Sequence, residues 1–321
     1  MIGAVKAGEA QCFTLRSNPE SKAKSSFRRC ASGGLCATWL MGGVSGCVGK
    51  TMTAPLSRVT VLAQTATMFK GSATASRSRQ AFANGRIIEG ARQIVQQEGV
   101  LTLWRGNLCT CVHRFPFTGI NFLVVQAVKQ AFPSLEHGPV WGAFVPGAAA
   151  GCAAVMVCYP LEVVRTRLMT HSGPGDNRGW LVSLQRLART EGAIGMYRGV
   201  GLALVMTAPQ VSISFGVYDH LKDRIGTFGA GGISGVVGSM VTFPLDVLRR
   251  RLQVMGMDAS VPKRTCWHEA ADLWRCEGPR GFVRGLGPEV IKVFPTLAIT
   301  FSAFEYLRQY ESIFRGRILQ H

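Results

Sequence analysis

Acidic residues are scarce in this chain: 18 Asp and Glu stand against 36 Lys and Arg in 321 residues, a formal charge of +18. Cys-x-x-Cys pairs are missing and no histidine stands at zinc spacing from the ten cysteines, which excludes the common structural zinc modules. His113, His137, His171 and His220 lack partners at useful spacing, so no catalytic constellation emerges, and neither an enzyme nor a cofactor is expected. The first 30 residues contain no apolar core of the length a secretory signal needs. They carry Lys6, Arg16, Lys22, Lys24, Arg28 and Arg29 against Glu9 and Glu20, which leaves an organellar presequence or a disordered basic tail as readings of residues 1–33. So large a charge could suggest nucleic acid, but the basic residues do not gather with aromatics in one region. They recur at the ends of apolar segments, the pattern of a membrane protein, and nucleic acid is not expected as a partner.

What is present agrees with that. Apolar residues make up 47% of the chain, mean hydropathy is +0.18, and 38 glycines are too many for a typical soluble enzyme of this length. Cys36, Cys47, Cys109, Cys111, Cys152 and Cys158 lie inside apolar segments and read as reduced packing residues.

One stretch organises the rest. Phe243-Pro244-Leu245-Asp246-Val247-Leu248-Arg249-Arg250-Arg251 ends an apolar run and occurs, altered, twice more, as Pro55-Leu56-Ser57-Arg58-Val59-Thr60 and Pro160-Leu161-Glu162-Val163-Val164-Arg165. In each copy two glycines stand 13 and 9 residues before the proline (55 − 42 and 55 − 46 in the first): Gly42 and Gly46, Gly147 and Gly151, Gly231 and Gly235. Each copy continues into Glu-Gly (Glu98, Glu191, Glu277) and Arg-Gly (Arg105, Arg198, Arg284), then into a second apolar segment with its own proline, Pro116, Pro209 or Pro295. Those prolines are separated by 209 − 116 = 93 and 295 − 209 = 86 residues. A hairpin of two membrane spans of about 20 residues each, plus a loop, fills such a unit.

The expected fold is therefore an all-α membrane protein of six transmembrane helices, built from three tandem helical-hairpin repeats with pseudo-threefold symmetry. The spans are placed at 34–64, 107–131, 138–170, 200–224, 227–255 and 286–312, within repeats at 34–132, 138–224 and 227–312, followed by a tail at 313–321. The odd spans are expected to break at their prolines and to use their paired glycines for close helix approach. Between the spans, amphipathic pieces such as 86–95 are expected on the membrane surface.

Threefold repetition sets charges in rings. A charge at membrane depth costs about 2.5 to 3.5 kcal/mol unless it is paired or wet. One ring carries Ser57, Glu162 and Asp246 in its acidic slots and Thr60, Arg165 and Arg249 in its basic slots. If each acid meets the next repeat's base, Glu162 pairs with Arg249, Ser57 faces Arg165 and Asp246 faces Thr60. At the opposite end Asp219 with Lys222 and Glu305 with Arg308 form a second ring, whose first member is Gln126 with Lys129. Asp219 can then meet Arg308, and Glu305 can meet Lys129. Two rings closing opposite ends of one bundle describe two gates and alternating access.

The three proline motifs with their Glu-Gly and aromatic-Arg-Gly elements make the chain resemble the mitochondrial carrier family over residues 34–312. Thr53-Ala54-Pro55-Leu56 and Lys292-Val293-Phe294-Pro295 look like the branch with coenzyme A and adenine nucleotide carriers. Thr53-Ala54-Pro55-Leu56-Ser57-Arg58-Val59-Thr60 with Gly106-Asn107-Leu108 and His113-Arg114-Phe115-Pro116 is similar to the plant-type carriers called mitochondrial substrate carrier family protein B. The resemblance implies a multi-pass monomer of the mitochondrial inner membrane, in contact with lipid such as cardiolipin, with both termini on the cytosolic side. It makes the first ring a matrix gate braced by Gln64 and Gln253, with Met169 in the second brace slot, and the other ring a cytosolic gate. It puts substrate contacts three residues before each even-span proline, at His113, Met206 and Lys292, with Arg114 and Thr207 beside them. Basic groups on two walls of a wet cavity ask for a small anionic solute, and a phosphate-bearing nucleotide such as coenzyme A or an adenine nucleotide fits. Met206 could meet a planar group, although methionine in a helix is commonly packing. The alternatives are a carrier of another small anion and a non-transporting membrane scaffold, which the weakened first repeat suggests.

Overall fold

Every regular element among the described residues is helical, as a chain crossing lipid requires, because each backbone N–H and C=O must be satisfied within its own segment. The computed structural model describes residues 34–69, 76–132, 141–171, 179–257 and 264–318. The basic tail expected over 1–33, the start of the third span at 138–140 and the last residues, 319–321, lie outside that set.

The long helices are α1 (Gly34–Met52) with α2 (Ala54–Thr65), α5 (Asn107–Ala131), α6 (Trp141–Thr170), the run Val200–Val254, and α13 (Leu286–Ile318). Val200–Val254 is two spans, because Gly226 takes φ 76° and ψ 165°, a left-handed φ that ends α9 (200–225) and begins α10 (227–254). The shorter helices are α3 (Arg77–Ala83), α4 (Ile87–Glu98), α7 (Trp180–Thr190), α8 (Gly192–Met196), α11 (Cys266–Glu277) and α12 (Pro279–Phe282). Five of the helical segments are long and apolar enough to cross a membrane. The first odd helix falls short because α1 holds five glycines and Lys50, and its place in the bundle identifies it as the sixth. Neighbours follow chain order around a closed ring: α1 packs on α5, α5 on α6, α6 on the α9–α10 run, that run on α13, and α13 back on α1.

The expected break at the odd-span prolines occurs once. In repeat one the helix stops at Thr53 and restarts with Pro55 in the first turn of α2, where its missing N–H has no partner to lose. The carbonyl four residues before Pro55, on Thr51, accepts a hydrogen bond from Trp104 Nε1 at 2.8 Å. Helices α6 and α10 continue through Pro160 and Pro244. The last helix also outruns its expected end at 312 and continues to Ile318.

The glycine pairs act by halves. A Cβ built on Gly46 or Gly151 would lie 2.8 Å from Arg114 Nε or 2.7 Å from Thr207 Cγ2, so in repeats one and two the second glycine lets the odd helix close on the even helix of its own repeat, while at Gly235 a Cβ would meet Val293 Cγ1 at an ordinary 3.5 Å. The first of each pair is less constrained: Gly42 and Gly231 have nothing within 4 Å of that position, and at Gly147 an added Cβ would only touch Val211 Cγ1 at 3.9 Å. Gly43 and Gly232 instead receive the rings of Phe115 and Phe294.

The Arg-Gly glycines tie repeat to repeat. Gly106, Gly199 and Gly285 take φ of 82°, 87° and 89°, and an added Cβ would meet the carbonyl of Arg165 at 3.3 Å, of Arg249 at 3.4 Å and of Thr60 at 3.2 Å. Each repeat thus abuts the basic slot of the next, in cyclic order. The short helices lie beneath these junctions. Gly90 and Ile94 of α4 are buried with Phe82 against Val59, Leu62 and Ala63 of α2, while Ile88 on the other face is 86% exposed.

The Glu-Gly acids complete the frame. Arg58 donates to Glu98 at 2.9 Å, Arg167 to Glu191 at 2.5 Å, and Arg251 to Glu277 at 2.6 Å. Nε of each of these arginines donates to a carbonyl of the following repeat: Arg58 to Met169 at 3.2 Å, Arg167 to Gln253 at 2.9 Å and Arg251 to Gln64 at 3.1 Å. Burial alone would raise the carboxyl of Glu277, yet Arg251, Thr67 and Arg284 together hold it below its ordinary value. With a lowered folded-state value, its contribution is complete above the unfolded value near 4.5 and is lost as the pH falls through the lower folded one. Thermal melting of the purified protein should therefore drop as the pH falls below about 4.5, less steeply for Glu277→Gln than for the unaltered protein. Parallel melting curves for the two proteins over that range would contradict this.

Candidate functional site

At the proline end the odd helices converge, and α2 touches both α6 and α10. Ser57, Thr60, Gln64 and Gln253 are all buried there. The expected link between Glu162 and Arg249 is present as a direct ion pair, and the Arg249 guanidinium also lies over the Tyr159 ring, 5.4 Å from its centroid. Gln253 Nε2 donates to the Tyr159 hydroxyl at 3.2 Å, and Thr166 Oγ1 donates to Gln253 Oε1 at 2.7 Å. Gln64 Nε2 donates to Asp246 at 3.3 Å. Met169 in the second brace slot is buried beside Gly106 and contributes its carbonyl, not its side chain.

Two of the other expected links differ. Asp246 does not turn to Thr60, because Arg250, one turn along the same helix, takes its carboxylate at 2.7 Å. Thr60 Oγ1 donates to the carbonyl of Leu56. Ser57 does not partner Arg165, whose Nε is buried without an acceptor. The weak first repeat is nevertheless held, since the cyclic clasp of Arg58, Arg167 and Arg251 fastens all three junctions.

The opposite end is open. Lys129, Asp219, Lys222 and Glu305 are exposed and Gln126 is half-buried. Asp219 bonds Lys222 on its own helix at 2.7 Å, and its expected partner Arg308 has a side chain outside the described residues. Among the described residues no ion pair joins Glu305 to Lys129. A bundle closed at one end and open at the other cannot form both rings at once, which accounts for the missing Glu305–Lys129 pair.

Between the ends the five expected substrate positions fall into two groups. His113 and Lys292 face the interior: His113 stacks on Phe117 at 5.3 Å and lies within electrostatic reach of Glu162, Arg165 and Arg249. Lys292 donates to Glu289 at 2.5 Å and lies within reach of Arg250 and Arg165. Arg114 and Thr207 are in the seams under Gly46 and Gly151, Thr207 Oγ1 donating to its own helix at Ala203. Met206 is packed, 5% exposed, and offers a ligand almost no surface in this state.

Lys50 and Glu289 were missed by sequence reasoning, and Arg165 and Arg250 were not read as cavity groups. Lys50 of α1 interacts electrostatically with Lys292, Arg165, Arg114 and Glu289, and has no hydrogen bond or ion pair among the described residues. The floor above the closed end thus gathers Lys50, Arg165, Arg249, Arg250 and Lys292 against Glu162, Asp246 and Glu289, with cations from all three repeats. Among the described residues three of these cations have an acidic partner and two, Lys50 and Arg165, do not.

The sequence matches the family described as "Mitochondrial carrier protein" three times in tandem, over residues 32–135, 136–229 and 225–312. The chain belongs to the mitochondrial carrier family. It is thus a transporter and a multi-pass mitochondrial membrane protein, and carriers of this family are not enzymes. Relatives include "Mitochondrial carrier protein CoAc2" of Zea mays, 30% identical over 296 residues and covering 84% of both chains. "Mitochondrial thiamine pyrophosphate carrier 1" of Aspergillus terreus is 31% identical over 290 residues, 83% of this carrier and 89% of its own length. "Mitochondrial adenyl nucleotide antiporter SLC25A24" of Danio rerio is 29% identical over 283 residues, 83% of this carrier and 56% of its own length.

Proposed function

We propose that this carrier exchanges a phosphate-bearing, nucleotide-like anion, coenzyme A or an adenine nucleotide, across the mitochondrial inner membrane by alternating access. The observation that carries the reading is the floor of the cavity, where Lys50 and Arg165 stand unpaired and Lys292 is only internally neutralised. Uncompensated cations at membrane depth are costly, and an anion arriving from the open end relieves that cost. The names of two relatives point the same way, since thiamine pyrophosphate and adenine nucleotides share a run of phosphates.

In this reading the proline end faces the matrix, and the structure is the state open to the cytosolic side. Bound anion draws the floor cations together, the Glu162–Arg249 pair and the Gln64 and Gln253 braces let go, and Asp219, Lys222, Glu305, Lys129 and Arg308 close the other end. An equilibrium between the two states moves only as far as the anion's differential affinity for them allows. His113 and Lys292 act as substrate contacts joined by Lys50 and Arg165, while Arg114 and Thr207 position α5 and α9 against α1 and α6.

The test is counter-exchange in liposomes loaded in turn with coenzyme A, ADP, ATP and thiamine pyrophosphate. Exchange of at least one of the first three is expected, with no exchange of neutral or cationic solutes. Preferential exchange of thiamine pyrophosphate would redirect the substrate within the anion class. No exchange across the panel would favour a non-transporting scaffold.

A further inference from the structure

Glu289 is the one carboxylate placed among the floor cations with no counterpart in the other repeats. It stands 295 − 289 = 6 residues before its span's proline, and the equivalent positions, 116 − 6 and 209 − 6, hold Thr110 and Ala203. Its carboxylate accepts the Lys292 ammonium at 2.5 Å, with both side chains largely buried, and it interacts electrostatically with Lys50 of repeat one, Arg165 of repeat two and Arg250 of repeat three. Glu289 lies in the first turn of α13, where an acid complements the helix dipole, but that duty does not require its carboxylate to be held by the Lys292 ammonium, as it is here. The carboxylate therefore sits where an anionic ligand group would be held, in contact with a cation that such a ligand would need.

We propose that Glu289 is a tethered surrogate anion that substrate must displace from Lys292, and that it sets which phosphate-bearing ligands the carrier accepts. This rests on the reading of the cavity as an anion site. While Lys292 is paired with Glu289, only the fraction of molecules in which the pair is open can bind substrate through Lys292, and apparent affinity falls by that fraction. After displacement the carboxylate stays in the cavity as a fixed negative charge beside the bound anion. Its repulsion grows with the charge of the ligand, so it selects against the more highly charged one, the repulsive half of a specificity device. Glu289 thus caps the ligand charge the floor accepts.

Purified carrier in detergent would be titrated with ADP, ATP, coenzyme A and thiamine pyrophosphate at fixed ionic strength, reading half-saturation from ligand-induced thermal stabilisation. Glu289→Gln keeps the shape and a hydrogen-bonding partner for Lys292, and Glu289→Ala provides a second variant if the first folds poorly. Each should bind these anions roughly tenfold more tightly than the unaltered carrier. The ratio of ATP to ADP affinity should shift toward ATP by several fold, a change that a purely structural role would not produce. Lys292→Gln should weaken all four ligands. If the Glu289 variants bind as the unaltered carrier does, or more weakly, while Lys292→Gln loses binding, the surrogate-anion proposal is overturned and the anion site stands. If Lys292→Gln binds normally, or none of the four ligands stabilises any form, the anion reading itself fails and this proposal fails with it.

Discussion

Exchange by Lys292→Ala should fall on the order of a hundredfold while the inserted, folded fraction stays near that of the unaltered carrier. The ammonium is paired only with Glu289 on its own helix and ties no repeat to another, so under the proposed reading what it loses on truncation is contact with substrate. A hydrogen bond to a charged group contributes about 1.5 to 3 kcal/mol, and the upper end of that range corresponds to a factor above a hundred. The truncation leaves Glu289 without its hydrogen-bonded partner, but Lys50, Arg165 and Arg250 remain within reach of that carboxylate, so the fold should tolerate it. Melting in detergent is the control. The double variant Lys292→Ala with Glu289→Ala removes both charges and should recover any lost stability without recovering exchange. A loss of melting temperature that tracks the loss of exchange in both variants would assign Lys292 to the fold and not to the substrate.

Glu162→Gln should open the proline end. Among the described residues the Glu162–Arg249 pair is the only ion pair between repeats in the ring of acidic and basic slots, and the state open on that side cannot keep it. Replacing the carboxylate with an amide weakens a charged hydrogen bond by about 1 to 2 kcal/mol, roughly a tenfold shift in the populations of the two states. Ser57 is 5% exposed in the closed end. A cysteine there, in an otherwise cysteine-free carrier, should react slowly with an impermeant thiol reagent applied from the proline-end side, and about tenfold faster once Glu162→Gln is added. Equal rates would mean that the clasp of Arg58, Arg167 and Arg251, not the ion pair, holds this end shut.

The ring of six helices was legible because its signals repeat. Prolines, glycines and Glu-Gly elements recur at fixed offsets, and a pattern that fails to persuade once does so when it returns twice. Glu162–Arg249 could be read in the same way, whereas Gln64 and Gln253 were singled out only by the family resemblance. The fates of Asp246 and Arg165 could not, because local geometry decided them: Arg250 lies one turn from Asp246 and takes its carboxylate at 2.7 Å, leaving Gln64 as the contact from another repeat. Lys50 and Glu289 were overlooked for the opposite reason. They break the symmetry, and a search for recurrence passes over residues that occur once. The signal was available, since a lone lysine or glutamate in an apolar span is costly and kept for a purpose. The arginine clasp was hidden because Arg58 stands three residues after its proline, whereas Arg167 and Arg251 stand seven after theirs, so the first repeat reaches the same junction from a different turn.

The most direct test of the account is equilibrium binding of labelled ADP and coenzyme A to the purified carrier and to a variant with Lys50, Arg165 and Lys292 all replaced by glutamine. The account predicts that the unaltered carrier binds at least one of the two, that binding weakens as ionic strength rises, and that the folded triple variant binds neither. A folded triple variant that binds as tightly as the unaltered carrier would contradict it, because the anion would then be held somewhere other than the cationic floor.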